Sequence, residues 1–163
     1  MIPEPISLRP ATSADTPQIL AFIRGLAEYE KLSHVCFATE ESLRVTLFGP
    51  RPFAEVIMAD WEGQPAGFAL FFHNYSTFRA RPGIYLEDLY VLPALRGKRI
   101  GKALLTGLAR LAVERGCARL EWSVLDWNAP SIAFYKALGA EPQDEWTIFR
   151  VTDESLDRLA KGI

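Results

Sequence analysis

Three short stretches of this chain carry side chains able to do chemistry. Arg96-Gly-Lys-Arg-Ile-Gly-Lys102 sets four cations and two glycines directly ahead of an apolar helical pattern. Tyr85-Leu-Glu-Asp-Leu-Tyr90 places two adjacent carboxylates in an otherwise apolar, strand-like run. Asn128-Ala-Pro-Ser-Ile-Ala-Phe-Tyr135 puts Asn128 and Ser131 at a helix start and a phenolic hydroxyl at Tyr135.

Each stretch admits a chemical reading and a plain structural one. Unpartnered backbone N–H groups at a helix start, together with the helix dipole, hold phosphate-bearing ligands. The same residues also suit a solvated, basic helix start. An ATP-type phosphate loop is ruled out: three residues rather than four separate Gly97 and Gly101, and Ala103 stands where a magnesium-binding Ser or Thr is needed. Strict alternation turns Tyr85, Glu87 and Leu89 to one side of the strand and Leu86, Asp88 and Tyr90 to the other. Of the two carboxylates, one is suited to accept a proton from an amine and one to orient a substrate. An exposed strand face or structural ion pairs would also account for them. Asn128 and Ser131 can cap a helix or reach a ligand, and Tyr135 can fill a core or present its hydroxyl at a site.

The surrounding pattern says how these stretches must be positioned. Alternation over Ile6–Arg9 reads as a short strand. A helix follows over 15–30, with Ile19, Leu20, Phe22, Ile23 and Leu26 as its inner face. A second helix covers 39–47 from a Thr39 cap, with Glu40 and Glu41 in its first turn. Strands at 54–60 and 65–74 are joined by Glu62-Gly-Gln-Pro65, and 74–83 reads as a loop. Then come a strand over 83–92, a helix over 100–115 stopped by Gly116, and a strand over 118–125. A helix runs from Asn128 to Gly139, a last strand covers 145–151, and a final helix spans 153–160. This order predicts an α/β (α+β) fold, a mixed sheet with helices on both faces, in one domain over 1–163.

Composition narrows the function. The chain has 163 residues, net charge −2 and 49% hydrophobic residues, as expected of a soluble globular domain. Its basic residues concentrate at 96–102, which fits an anionic small ligand and not the long basic stripe of a nucleic-acid binder. No apolar run is long enough to span a membrane, and no signal peptide is evident. A cytoplasmic location is the simplest expectation. Cys36 and Cys117 read as free thiols, and with His34 and His73 they show no metal-ligand spacing, so no metal site is expected.

Taken together, these residues resemble the GCN5-related N-acetyltransferase superfamily, and within it the diamine (spermidine/spermine-type) branch. The resemblance runs from Leu8-Arg-Pro-Ala-Thr-Ser-Ala-Asp15 and Leu26-Ala-Glu-Tyr-Glu30, through Tyr85-Leu-Glu-Asp88 and the 96–101 loop, to Trp127-Asn-Ala-Pro-Ser-Ile-Ala-Phe-Tyr135. It implies a mostly antiparallel, twisted sheet of about seven strands. It also implies acetyl-CoA as donor, direct transfer to a primary amine, and a homodimer whose subunits meet near the C-terminal strand.

By this resemblance Arg96, Gly97, Lys98, Arg99, Ile100, Gly101 and Lys102 hold the CoA pyrophosphate. Leu89, Tyr90 and Val91 offer backbone to the pantetheine arm, and Asn128 and Ser131 contact CoA. An alkylammonium must first lose a proton, at a cost of about 4–5 kcal/mol at neutral pH. Glu87, or Asp88, is the expected acceptor, and Tyr135 the acid for the departing thiolate. The branch pattern maps acceptor binding onto Tyr29, Glu30, Glu87, Asp88, Glu121, Trp122, Ser123, Trp146 and a nearby acid, Asp144 or Glu145, with spacing favouring Asp144. A polyamine or diamine is the leading acceptor, a thialysine-like amino acid the alternative, and an acyl-CoA-binding module a third reading. One departure stands out: Arg99 occupies a position where the superfamily loop has glycine. An ordinary negative φ is expected there, with the backbone N–H facing the anion.

Overall fold

The computed structural model describes residues 5–162. They gather into two compact units, Met1–Leu125 and Asp126–Ile163. In the first unit the order is β1 (Ile6–Pro10), α1 (Thr16–Tyr29), α2 (Glu40–Phe48), β2 (Glu55–Trp61), β3 (Gln64–Ser76), β4 (Arg81–Val91), α3 (Ile100–Glu114) and β5 (Leu120–Trp122). The second holds α4 (Ala129–Ala137) and α5 (Asp153–Lys161).

Local chemistry sets the element ends. Pro17 lies in the first turn of α1, where its missing N–H costs nothing. Thr39 caps α2 by accepting from the Ser42 N–H at 3.1 Å. The β2–β3 turn is a two-residue loop with φ of 50° at Glu62 and 76° at Gly63, the left-handed pair that suits tight hairpins. Asn128 caps α4 through Ser131 N–H, and Pro130 sits in its first turn.

The five strands form one sheet in sequential order. Pairs β1–β2, β2–β3 and β3–β4 are antiparallel, and β4–β5 is parallel. One face packs on α1 and α2, where Ile19, Leu20, Phe22, Leu43 and Leu47 meet Val56, Met58, Phe68 and Tyr90. The other face receives α3: Gly107 lies against Leu8 and Gly101 against Val91. Arg9 forks to Asp15 at 2.8 Å and Asp60 at 3.1 Å, tying β1 to the start of α1 and to β2.

The mixed sheet with helices on both faces is therefore as expected, but the strand count is five among the described residues, not about seven. The 74–83 loop is mostly sheet, because β3 and β4 pair as far as Ser76 with Arg81. The strand expected over 118–125 is only Leu120–Trp122. Residues 145–151 form no strand at all. Extended, alternating sequence becomes a strand only where a ladder partner takes up its N–H and C=O groups. No helix among the described residues is long and apolar enough to cross a membrane.

Candidate active site

The chemistry of the first unit concentrates where β4 loses its regular pairing. Leu70 of β3 pairs with Asp88 while its neighbour Phe71 pairs with Leu86, so Glu87 is an extra, bulged residue. A bulge disturbs strict alternation and bends its strand. The strict alternation expected through Glu87 and Asp88 is therefore broken at Glu87, and the two charges act on one another. Burial pushes Asp88 up to about 6, reinforced by the charges of Glu87 and then Glu30. Glu30 is also raised, first by desolvation and then by Glu87. Three carboxylates from two elements thus share one half-desolvated place, with Glu87 exposed and Asp88 half-buried.

Glu30 caps the C-terminal end of α1, whose last turn contains no basic residue. A carboxylate at the negative end of a helix dipole works against helix stability. At the start of α3 the same inversion recurs: the helix begins behind Arg96, Lys98 and Arg99, with Lys102 and no acid in its first turn. Cations at a positive helix end repel the dipole as well. Both ends carry the charge that a bound ligand of opposite sign would neutralise, a cation at α1 and an anion at α3.

The bulge also coincides with the point where β4 parts from β5. Their ladder covers only Ile84–Leu86 against Leu120–Trp122. Since Leu92 N–H donates to Ala66 O, the antiparallel alternation turns the N–H and C=O groups of Leu89 and Val91 away from β3, toward the gap beyond that ladder. Such an edge offers N–H donors to an extended arm and to a developing oxyanion.

In the basic loop, Gly97 has φ 82° and Arg99 φ 65°. The expected negative φ at Arg99 is therefore wrong: Arg99 is left-handed and stands immediately before the first helical residue. The chain must reverse direction between Arg96 and Ile100, and without glycine at 99 the arginine itself takes the turn, at a cost of about 1–2 kcal/mol. Among the described residues no group accepts the backbone N–H of Gly97, Arg99, Ile100, Gly101 or Lys102. These donors form the arrangement that cradles an anion.

The four side chains of the loop divide into two pairs. The Arg96 guanidinium lies 4.7 Å from the Tyr29 ring centre and 5.8 Å from that of Tyr90. The Lys98 ammonium lies 4.6 Å from the Trp61 ring centre. Arg99 and Lys102 are exposed and make no ion pair among the described residues. Trp61 and Tyr90 as aromatic seats were not legible from sequence, because nothing local links the end of β2 to a loop after β4.

The remaining expected residues are more dispersed. Glu121 is held by Asn74 at 3.0 Å and Arg119 at 2.6 Å, and Ser123 meets the Tyr85 hydroxyl at 2.7 Å. Trp122 pairs with Leu86 at the end of the β4–β5 ladder. In the second unit Asn128 is 6% exposed and bonded to Ser131 N–H. Tyr135 lies on α4 with its ring 5.5 Å from Phe134. Asp144 and Glu145 form a turn, and Trp146 is exposed.

Residues 19–140 match the acetyltransferase (GNAT) family. The chain is 42% identical to the thialysine N-epsilon-acetyltransferase of Bos taurus, over 95% of this chain and 97% of that protein. It is 34% identical to an L-ornithine N5-acetyltransferase of Arabidopsis thaliana, over 94% of this chain and 87% of that protein. An integron cassette protein from the mobile metagenome of V. cholerae superposes with a TM-score of 0.81 and 26% identity, covering 96% of this chain and 98% of that one. With a basic loop before α3, a bulged β4 and a diverging β5 matched across most of its length, the chain belongs to the acetyltransferase (GNAT) family and is an acyltransferase.

Proposed function

We propose that this protein transfers the acetyl group of acetyl-CoA directly to a primary amine of a small, multiply charged acceptor, a lysine-like amino acid before a polyamine. The observation that carries this reading is the shared charge of Glu30, Glu87 and Asp88. Three carboxylates at the end of α1 and the bulge of β4 suit a ligand with more than one ammonium. The names of the thialysine and ornithine enzymes put a lysine-like acceptor first. The number of carboxylates keeps a polyamine as the second reading.

In the proposed reaction the backbone N–H groups of Gly97 and of 99–102, which have no acceptor among the described residues, hold the pyrophosphate, and the β4 edge at Leu89–Val91 receives the pantetheine arm. Glu87, or Asp88, accepts the ammonium proton through water. Asp88 at about 6 is largely ionised at neutral pH yet basic enough to act. The free amine attacks the thioester carbon, the C–S bond breaks, and the CoA thiolate takes its proton from the Tyr135 hydroxyl, while the nitrogen loses its extra proton to water as the amide forms and the tyrosinate regains one from solvent. Asn128 and Ser131 complete the CoA contacts, while Tyr29, Glu121–Ser123, Asp144 and Trp146 contribute to the acceptor side.

The family match crosses from the first compact unit into the second, which supports their acting as one acetyltransferase domain. A homodimer is part of the proposal, supported by the exposed apolar run Trp146, Ile148, Phe149 and Val151, which lacks a strand partner. Two free cysteines suit a reducing, cytoplasmic setting. The test is a CoA-release assay over thialysine, lysine, ornithine, spermidine and putrescine. Turnover absent from the whole set, or slower there than with a monoamine control such as n-butylamine, would sink the reading.

A further inference from the structure

We propose that Arg96 is a positioning residue for the acceptor: it ties the donor loop to the acceptor wall, so that the amine is held in place by a cation belonging to the phosphate loop. This inference rests on the amine-acetyltransferase reading above. Position in sequence makes Arg96 one phosphate-facing cation among four. Geometry gives it another task. Its guanidinium is seated on the rings of Tyr29 and Tyr90, and its Nε donates to Val91 O at 3.2 Å. The end of α1, the end of β4 and the loop before α3 therefore meet on one side chain.

The two rings play different parts. Tyr90 is 7% exposed, and its hydroxyl packs so closely on Gly25 of α1 that a β-carbon there would collide with it. It is a fixed inner platform. Tyr29 is 37% exposed and directly precedes Glu30, the carboxylate that shares charge with Glu87 and Asp88. A planar cation stacked on Tyr29 settles where that ring stands, and with it the neighbouring acid. Val91 O belongs to the β4 edge turned toward the donor gap, so the same side chain also touches the donor side. Lysine supplies the charge but neither the flat face nor the fixed fork of donors.

Steady-state kinetics of Arg96→Lys with acetyl-CoA and thialysine, and with spermidine as second amine, separate this task from simple phosphate binding. The Lys variant is expected to keep its KM for acetyl-CoA within about twofold and to raise the amine KM about five- to tenfold. Tyr29→Leu should raise the amine KM by a similar factor. The double variant, checked for an unchanged melting profile, should add little to either, because both changes remove one contact. An acetyl-CoA KM that rises while the amine KM stays put makes Arg96 a phosphate ligand only, and fully additive effects also overturn the proposal. Wild-type protein that acetylates no amine in the set defeats the amine reading, and the role of Arg96 with it. Wild-type turnover with an unaltered amine KM in the Lys variant defeats the role of Arg96 alone.

Discussion

Asp88 in β4 and Glu30 at the end of α1 repel one another across the join between strand and helix. Burial raises the Asp88 carboxyl to about 6, Glu87 adds to the shift and Glu30 adds a further part. A base of that strength is ionised at neutral pH without being too weak to take a proton. In the proposed mechanism the site's acidity and its proton acceptor are one arrangement, assembled where α1 stops and β4 bulges.

Removing the Glu30 charge should shift the pH profile. In the wild type kcat/KM should fall as pH drops through about 6, as Asp88 gains its proton. Glu30→Gln takes away a like charge, lowers the Asp88 pKa, and moves the acid limb down by about half a pH unit. A profile of kcat/KM from pH 4.5 to 8 measures this. An acid limb that does not move would show that Glu30 is too far or too well screened to matter.

The same carboxyl makes stability depend on pH in a defined sense. A carboxyl with a raised folded pKa binds protons more readily in the native state than in the unfolded one. Its contribution to stability is full below the unfolded value of 3.8 and is lost as pH rises through about 6. Asp88→Asn removes that loss, so the variant should gain on the wild type between pH 4 and pH 8, by about 2–3 kcal/mol at the upper end. Thermal melts at the two pH values test it. A variant equally destabilised at both would point to packing and not charge.

Tyr135→Phe deletes only a hydroxyl. If that hydroxyl protonates the leaving thiolate, turnover should drop by about a hundredfold or more. Acetyl-CoA affinity, read by calorimetry, should change less than about twofold, since the lost contact acts on the departing group. Pre-steady-state acetyl transfer at wild-type rate would remove Tyr135 from the chemistry.

Arg99→Gly sets strain against charge. Glycine adopts the left-handed turn without the clash that costs an L-residue about 1 kcal/mol, so the melting temperature should rise. The guanidinium is lost at the same time, and the acetyl-CoA dissociation constant should increase about three- to tenfold at low salt, less at high salt. A variant that melts higher and binds acetyl-CoA equally well would mean that the arginine serves neither the turn nor the donor.

Much of the architecture was legible because it depends on short-range physics. The α1 and α3 boundaries, the Glu62-Gly63 hairpin and the Asn128 cap follow from propensity, periodicity and turn chemistry within a few residues. The basic loop was legible as a candidate anion seat, but four cations at a helix start suit a solvated helix end as well. Residues 145–151 show the limit of that reasoning. Their aromatic and β-branched residues suit a strand, but a strand also needs a second strand, and pairing is not written in the segment.

The pattern of residue types along this chain determined its family and its class of reaction, and it marked one basic and one acidic place. The tertiary structure decided how the acids face one another and where the arginines point. Alternation cannot foresee a bulge at Glu87, because the bulge is a mismatch with β3 and not a property of β4. It is that mismatch, with α1 ending beside it, that joins Glu30, Glu87 and Asp88. Likewise the loop sequence cannot say that Arg96 lies on Tyr29 and Tyr90, or that Arg99 takes the left-handed turn. Both follow from bringing the ends of α1 and β4 together, which only long-range packing can do.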